Sequence, residues 1–454
     1  MLKLFNTYGR KKQTFKPIKK GEVGMYSCGP TVYWFQHIGN LRTYIFNDIL
    51  KRVLTYDGFK VKQVINITDV GHLTSDADIG EDKMETAAIK EGKKASEIAQ
   101  YYFDVFNEDL KKLNIIEPNI WAKATDNIKE QIEMIVILEK KGYTYKTPDG
   151  IYFDTSKFKD YGKMAKLNLE GLEGGRRVEL GDKKNKTDFA LWKFSEKVGV
   201  RQQEWESPWG KGFPGWHIEC SAMGSKYLGK QFDIHTGGED HIPIHHTNEI
   251  AQSESAYEKK PWVKYWIHGA FLKFGGEKMS KSKGKIETIS DLEKKGYSAL
   301  DYRYFLLTAH YRTQLNYSLN SLDAAKTSRK RLRNIISGWE DDGKVNEKYL
   351  NEFETAIDND LDIPSALVVL WRLVRDENAF GKVRTVKSME KVFGLDLFKG
   401  EEEKIPAEIL EIVKAREKAR NDKDWKLADK LRDKIAKKGF RVDDTGDGSK
   451  LQKI

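Results

Sequence analysis

The 454 residues carry 79 Lys and Arg against 69 Asp and Glu, a formal net charge of +10, with 39% hydrophobic and 33% charged residues. That length exceeds one ordinary domain and fits roughly two to four, while the 10 prolines and the lack of Gly/Ser or Pro tracts exclude long disordered linkers. No apolar run reaches a membrane-spanning length and the start, MLKLFNTYGRKKQ, lacks the apolar core of a secretory signal; the expectation is a soluble cytoplasmic chain with an anionic partner, nucleic acid before membrane.

In chain order, residues 23–27 read as a short buried strand ending at Cys28-Gly29-Pro30, where Gly and Pro mark a turn. Ile38, Leu41, Tyr44, Ile45, Ile49, Leu50 and Val53 then recur at helical spacing, and residues 60–67 alternate as a second strand. Strand, turn, helix, strand is the opening of a doubly wound nucleotide-binding sheet, whose ligands bind beyond the carboxyl ends of the strands. Cys28 and the segment after it therefore fall in the crevice. Residues near 95–140 are expected to be mostly helical, with Phe103, Phe106, Leu110 and Leu113 on one stripe. From about 141 to 210, short β-like pieces such as 150–154 alternate with glycine-rich and charged loops, the pattern of an insertion that interrupts the sheet. The sheet resumes at residues 232–235, before Gly237-Gly238.

From about 318 the chain is expected to stay helical, with Leu322, Ala325, Leu332, Ile335 and Ile336 on one stripe. Pro364 sits where a new helix should begin, followed by Leu367, Leu370 and Leu373. Residues 399–405 read as a polar joint, followed by helices near 407–421 and 425–438, with Gly439 as a stop. No internal repeat is present.

Three constellations carry chemistry. The first is His37-Ile38-Gly39-Asn40 at a helix start, where free N–H groups and the positive dipole end favour phosphate. His37 and Asn40 can donate to phosphate oxygens and Gly39 allows close approach. The second is Lys278-Met279-Ser280-Lys281-Ser282, followed by Gly284. Two lysines and two hydroxyls in a glycine-flanked loop suit a triphosphate whose charge changes as pyrophosphate leaves. The third joins the only two cysteines, Cys28 and Cys220, to His245-His246-Thr-Asn-Glu249. Four apart, His245 and Glu249 share a helix face. Two thiolates and an imidazole select zinc, with the carboxylate a plausible fourth ligand. On geometry His246 could replace His245.

Together the first two motifs resemble the signature of class I aminoacyl-tRNA synthetases, with Asn40 at the usual second histidine. The segments around Cys28, Cys220 and His245 resemble, nearly end to end, the cysteinyl-tRNA synthetase family. That resemblance implies an α/β fold: a Rossmann-like doubly wound parallel sheet with an inserted connective domain, then a helical bundle and a small anticodon-binding unit. The implied divisions are 1–118 and 211–270 for the two halves of the catalytic sheet, 119–210 for the insertion, 271–317 for the signature-loop region, 318–398 for the bundle and 399–454 for the anticodon unit. It implies zinc on Cys28, Cys220, His245 and Glu249, with the substrate thiolate on the same ion, and so a site that rejects serine without an editing domain. It implies ATP, with Mg²⁺, against His37, Gly39, Asn40, Asp240, Lys278, Ser280, Lys281 and Ser282, with His37, Asn40, Lys278 and Lys281 catalytic. It implies a substrate pocket of Gly29, Thr31, Thr68, Trp216, His217 and His235. The partners implied are L-cysteine, ATP and tRNA(Cys), the enzyme acting as a monomer. Trp34-Phe35-Gln36, where the family is more often acidic and aromatic, and Phe213, where it is commonly basic, depart from the pattern.

Residues 404–454 hold 11 Lys and 4 Arg against 10 Asp and Glu, half the net charge of the chain. There Arg420, Trp425 and Asp429, with Asp444 further on, resemble the family's anticodon-reading element: Arg and Asp for base edges, Trp for stacking. A cysteine ligase acting on an amino-sugar would lack this unit, and a non-catalytic zinc- and RNA-binding paralogue would be expected to have lost His37 or Lys281.

Overall fold

The computed structural model describes residues 1–71, 83–167, 182–195, 197–199, 201–275, 277–278, 287–399, 407–422, 424–445 and 448–453. The chain forms two compact units, Met1–Phe398 and Lys399–Ile454.

The centre of the first unit is a five-stranded parallel sheet. Its order is Val263–Gly269, Phe232–Gly238, Glu22–Ser27, Lys60–Ile67, Ile120–Lys123. The chain starts in the middle, winds outward through Lys60–Ile67 to Ile120–Lys123, then returns to the other side of Glu22–Ser27. The winding therefore reverses between Glu22–Ser27 and Phe232–Gly238, and the crevice beyond the ends of those two strands is where such sheets bind ligands. Cys28 and Gly238 lie at those ends. Helix Ile38–Tyr56 covers the sheet with Ile38, Leu41, Ile45, Ile49, Leu50 and Val53 buried, the stripe its periodicity predicts.

The edge strand Ile120–Lys123 belongs to this sheet although it lies beyond residue 118, where the sequence reading ends the first half. Four residues in an otherwise helical stretch give no alternation to detect. A second sheet, antiparallel, runs Thr144–Thr147, Gly150–Phe153, Phe189–Phe194, Gly212–Pro214. It closes just past residue 210, on a strand too short to be read from pattern. Helix Trp216–Leu228 follows at once and carries Cys220. Two further pieces escape the sequence reading: the hairpin Lys3–Asn6 with Lys11–Thr14, and a small sheet of Leu272–Phe274, Glu277–Lys278 and Leu315–Tyr317.

The helical part of this unit comprises Leu319–Ser337, Glu347–Asp358, Ile363–Arg375 and Lys382–Phe393. Asp362 caps the third through Ser365 N–H, and Pro364 occupies its first turn, where its missing N–H costs nothing. A buried charge cluster joins this part to the sheet. Asp48, on helix Ile38–Tyr56, accepts from Arg52 at 2.7 Å, Arg303 at 2.5 Å and Ile116 N–H at 2.8 Å. Arg303 also donates to Phe393 O and Leu113 O, and Arg52 to Lys391 O. Burial opposes the Asp48 charge, but Arg303 and Arg52 outweigh it and hold the carboxyl below its ordinary value.

The second unit packs helices Ala407–Asn421 and Trp425–Lys437 around Ile409, Ile412, Val413 and Ile435. A hairpin of Phe440–Thr445 and Gly448–Lys453 completes it. Gly439 leaves the helix at φ +81°, a conformation that favours glycine. Among the described residues no helix is long and apolar enough to cross a membrane.

Candidate active site

The crevice at the switch point contains a cavity of about 540 Å³. One wall is the start of helix Ile38–Tyr56. His37 is its cap: Asn40 N–H donates to His37 Nδ1 at 3.2 Å and His37 N–H donates to Asn40 Oδ1 at 3.3 Å. Gly39 sits in the first turn and all three residues line the cavity. Ile38 N–H donates to Glu287 O at 2.8 Å, so the box and this contact together fix the orientation of the helix start at the cavity. Asp240 lines the same space, folded against Gly238, where a Cβ would meet Asp240 Oδ1 at 2.4 Å.

Sulfur and imidazole, from Cys28, Cys220, His241 and His245, also line the cavity, with the Glu249 carboxylate behind them. Donor atoms of Cys28, Cys220, His245 and Glu249 lie within 4.8 Å of one another, and all four residues are buried. They come from three elements: the end of strand Glu22–Ser27, helix Trp216–Leu228 and helix His245–Tyr257. Cys28 N–H donates to Thr236 O across the two central strands, and Gly29 N–H donates to Asn66 Oδ1 at 2.7 Å. A Cβ on Gly29 would lie 1.6 Å from Asn66 O, so glycine is what lets the turn press against the neighbouring strand.

Glu249 is gripped from both sides, by His235 Nε2 at 2.6 Å and His245 Nε2 at 2.7 Å. Burial opposes its charge, but the two imidazoles outweigh it and hold the carboxyl well below the carboxylate range. Burial likewise opposes charge on His245, yet Glu249 and Cys220 lift the imidazole to about 10. Hydrogen bonding from Cys28 lowers the Cys220 thiol to about 7, against burial, with His245 assisting; burial pushes Cys28 up.

Cys28, His235, His246 and Glu249 also bring their donor atoms within 4.8 Å of one another, a set that takes His246 together with His235 and without Cys220. Cys28 Sγ lies 3.1 Å from His246 Nε2, while His246 Nδ1 meets His268 Nε2 at 2.7 Å and His268 Nδ1 meets Thr7 Oγ1 at 2.8 Å. Only the set with His245 contains both thiols, the softer donor combination. Burial pushes His241, His246 and His268 towards the neutral form, His241 to about 4.

Of the pocket residues expected from sequence, Gly29, Thr31, Thr68 and Trp216 line the cavity. Trp216 packs against His245 with ring centres 4.4 Å apart and the planes tilted by 33°. Thr68 accepts from Asn66 Nδ2 and donates to Glu219 Oε2 at 3.2 Å. His217 and His235 do not reach the cavity lining. They stand behind it, His217 Nδ1 at 3.0 Å from His245 Nδ1 and His235 on Glu249. Both orient the groups in front of them rather than facing the open space. Asn66, Glu219, His241 and His268 were not singled out by sequence reasoning. Nothing local distinguishes them from strand and turn residues, because they meet only in three dimensions.

Lys278 is placed as backbone, in strand Glu277–Lys278; Ser280, Lys281 and Ser282 lie outside the described residues. In the second unit Trp425 is 58% exposed, with the Arg420 guanidinium 5.9 Å from its ring centre, so this Trp is not core. Asp429 is exposed on the same helix, and Asp444 pairs in register with Ser449.

Residues 14–327 match the family described as tRNA synthetases class I (C) catalytic domain, and residues 402–450 match the cysteinyl-tRNA ligase anticodon binding domain. The chain is 50% identical to cysteine–tRNA ligase 1 of Burkholderia lata, over 99% of this chain and 96% of that one. It is 44% identical to cysteine–tRNA ligase of Treponema denticola over the full length of both. Among solved structures, the Mycobacterium tuberculosis methionyl-tRNA synthetase in complex with methionyl-adenylate superposes with a TM-score of 0.56 at 15% identity, covering 83% of this chain and 88% of that one. The Agrobacterium radiobacter K84 agnB2 LeuRS–tRNA–LeuAMS complex gives 0.58 at 10% identity, covering 84% of each chain; both share the fold. With a catalytic match over most of its length, a matching anticodon unit and full-length relatives, the chain belongs to the cysteine–tRNA ligase family of class I aminoacyl-tRNA synthetases.

Proposed function

We propose that this chain activates L-cysteine with ATP and transfers the cysteinyl group to the 3′-terminal ribose of tRNA(Cys). The observation that carries the reading is the convergence of two buried thiols and an imidazole on the wall of a cavity that is also lined by a helix start, with the Glu249 carboxylate within 4.8 Å behind them. The thiols and imidazole suit a thiol side chain and the helix start a triphosphate.

In the first step a carboxylate oxygen of cysteine forms a bond to the α-phosphorus of ATP, and the bond from that phosphorus to the bridging oxygen breaks to release pyrophosphate. Nδ1 of His37 and Oδ1 of Asn40 are committed to the helix start, so their contacts to phosphate use His37 Nε2 and Asn40 Nδ2. Lys278 and Lys281 supply positive charge that balances the departing pyrophosphate. In the second step a ribose hydroxyl, the 2′ in class I behaviour, attacks the carbonyl and AMP leaves. No protein nucleophile takes part; the residues position the reactants and balance charge.

The donor set of Cys28, Cys220, His245 and Glu249 fits zinc, which when bound would supply a soft Lewis acid for the substrate thiolate and a poor one for a serine hydroxyl. Magnesium accompanies ATP. In the same reading residues 119–210 form the connective insertion, 271–317 the signature-loop region, and 399–454 the unit in which Arg420, Trp425, Asp429 and Asp444 read the anticodon. The enzyme acts as a cytoplasmic monomer.

The test is cysteine-dependent ATP–pyrophosphate exchange with serine as competitor, alongside metal content, on the wild type and Cys220→Ser. Exchange with cysteine alone, lost together with zinc in the variant, is the expected result. A folded, zinc-loaded wild type without exchange would overturn the reading in favour of a non-catalytic paralogue.

A further inference from the structure

Beside the cavity mouth the chain exposes aromatic rings among lysines. Tyr33 and Gln36 line the cavity, so the short loop that carries them sets Trp34 and Phe35 at its rim. Trp34 is 39% exposed and Tyr101, on helix Ala95–Lys112, 48%. Phe35 holds the two together: its ring centre lies 5.7 Å from Trp34 and 6.4 Å from Tyr101, and 5.0 Å from Tyr102 beneath them. The cluster fixes the outer rings without covering them. Lys90 Nζ stands 6.0 Å from the Trp34 ring centre and Lys93 Nζ 5.5 Å from that of Tyr101. The acidic groups among them are taken up by the protein itself, Glu91 by Lys93 and Tyr102, and Glu97 by Lys94 N–H. Fixed rings with exposed faces and ammonium groups beside them are the components that hold single-stranded nucleic acid, rings for bases and cations for phosphates. A protein partner would use the rings as well, but the lysines and the direct continuity with the cavity favour RNA.

We infer that Trp34 and Tyr101 form a stacking platform for the unpaired 3′ end of tRNA on its way into the cavity, with Lys90 on its phosphates. This rests on the proposed tRNA-charging reading and adds the route by which the acceptor end is held. The platform acts on RNA and not on amino-acid activation, so the two half-reactions separate its effect.

The experiment compares wild type, Trp34→Ala, Tyr101→Ala and Trp34→Phe in three measurements: cysteine-dependent pyrophosphate exchange, KM for tRNA in charging, and fluorescence of a tRNA carrying 2-aminopurine at an unpaired position next to the 3′ terminus. The alanine variants are expected to keep exchange within about twofold, to raise KM for tRNA about tenfold, and to lose the 2-aminopurine quench that stacking gives the wild type, with Trp34→Phe restoring most of it. Wild-type KM and quench in both alanine variants would overturn the inference. So would a parallel fall in exchange, which would make Trp34 part of the cavity's fold. A wild type without exchange removes the charging reading instead; the fluorescence measurement needs no turnover, and its quench, present in wild type and lost in Trp34→Ala, would still uphold the platform.

Discussion

His235 and His245 hold opposite oxygens of Glu249, at 2.6 Å and 2.7 Å, with all three side chains removed from solvent. The carboxylate is therefore kept charged and oriented by one histidine that lines the cavity and one that does not. Glu249→Gln keeps the shape and removes the charge. We expect kcat/KM for cysteine in pyrophosphate exchange to fall about 10²-fold and zinc affinity to drop with it, while His235→Asn, one shell further back, costs about tenfold. Exchange kinetics with metal analysis on purified variants checks both, and a Glu249→Gln enzyme with wild-type metal content and rate would contradict the assignment.

Gly29→Ala tests the packing of the turn. The new Cβ would meet a backbone oxygen, Asn66 O, at 1.6 Å, which no side-chain rotation relieves. The turn has to move away from strand Lys60–Ile67 and carry Cys28 with it. Exchange should fall at least about 10²-fold while far-UV circular dichroism stays native. Near-normal exchange would mean the turn has room that the geometry denies it.

The Asp48 cluster is a stability test with no part in the chemistry. Replacing Asp48 by Asn removes the ion-pair partner of Arg303, which has no solvent exposure. Breaking one partner of a buried pair costs about 3–5 kcal/mol. Urea unfolding should show an unfolding free energy lower by that amount, with the midpoint moved down accordingly, and Asp48→Asn with an unchanged midpoint would show that the cluster is not rigidly closed.

Asp109 gives a pH signature. Burial lifts its carboxyl from 3.8 to about 6, partly offset by Lys112. In the folded state it therefore holds its proton to higher pH than in the unfolded chain, so stability falls as pH rises between those two values. The penalty is absent below about pH 4 and complete above about pH 6, amounting to about 3 kcal/mol. Asp109→Asn should match the wild type near pH 4 and exceed it in unfolding midpoint near pH 8. A stability difference that does not change with pH would assign the residue another role.

Trp425→Ala probes the second unit. Its ring is exposed beside Arg420, so removing it should leave exchange within about twofold and weaken tRNA charging by about 1–3 kcal/mol. Equal losses in both half-reactions would argue against anticodon stacking.

What was legible in the sequence was what is contiguous. His37 to Asn40 sits on one helix start, and Lys60–Ile67 alternates cleanly enough to be placed to the residue. His245 and Glu249 share a face because four residues make about one turn. The histidine assembly was not legible, since His217, His235, His241 and His268 arrive from separate elements with no mutual spacing. The roles of His217 and His235 differ for the same reason: sequence places them near the substrate, but only the packing of helix Trp216–Leu228 shows them turned behind His245 and Glu249. The hairpin of Lys3–Asn6 with Lys11–Thr14 escaped because Lys11–Thr14 is wholly polar and only four residues long, and strands Phe440–Thr445 and Gly448–Lys453 because Phe440, Val442 and Leu451 are their only large apolar residues.

The chain contains two cysteines, and folding brings both to one cavity wall. Every sulfhydryl the molecule possesses is thus a reporter of that single place. A thiol titration of the native protein counts intact sites with no background from elsewhere, and protection of those thiols by a bound ion or by substrate reads occupancy directly. An alkylating or oxidising agent that consumes any thiol of this protein has, by the same arithmetic, struck the amino-acid wall of the cavity.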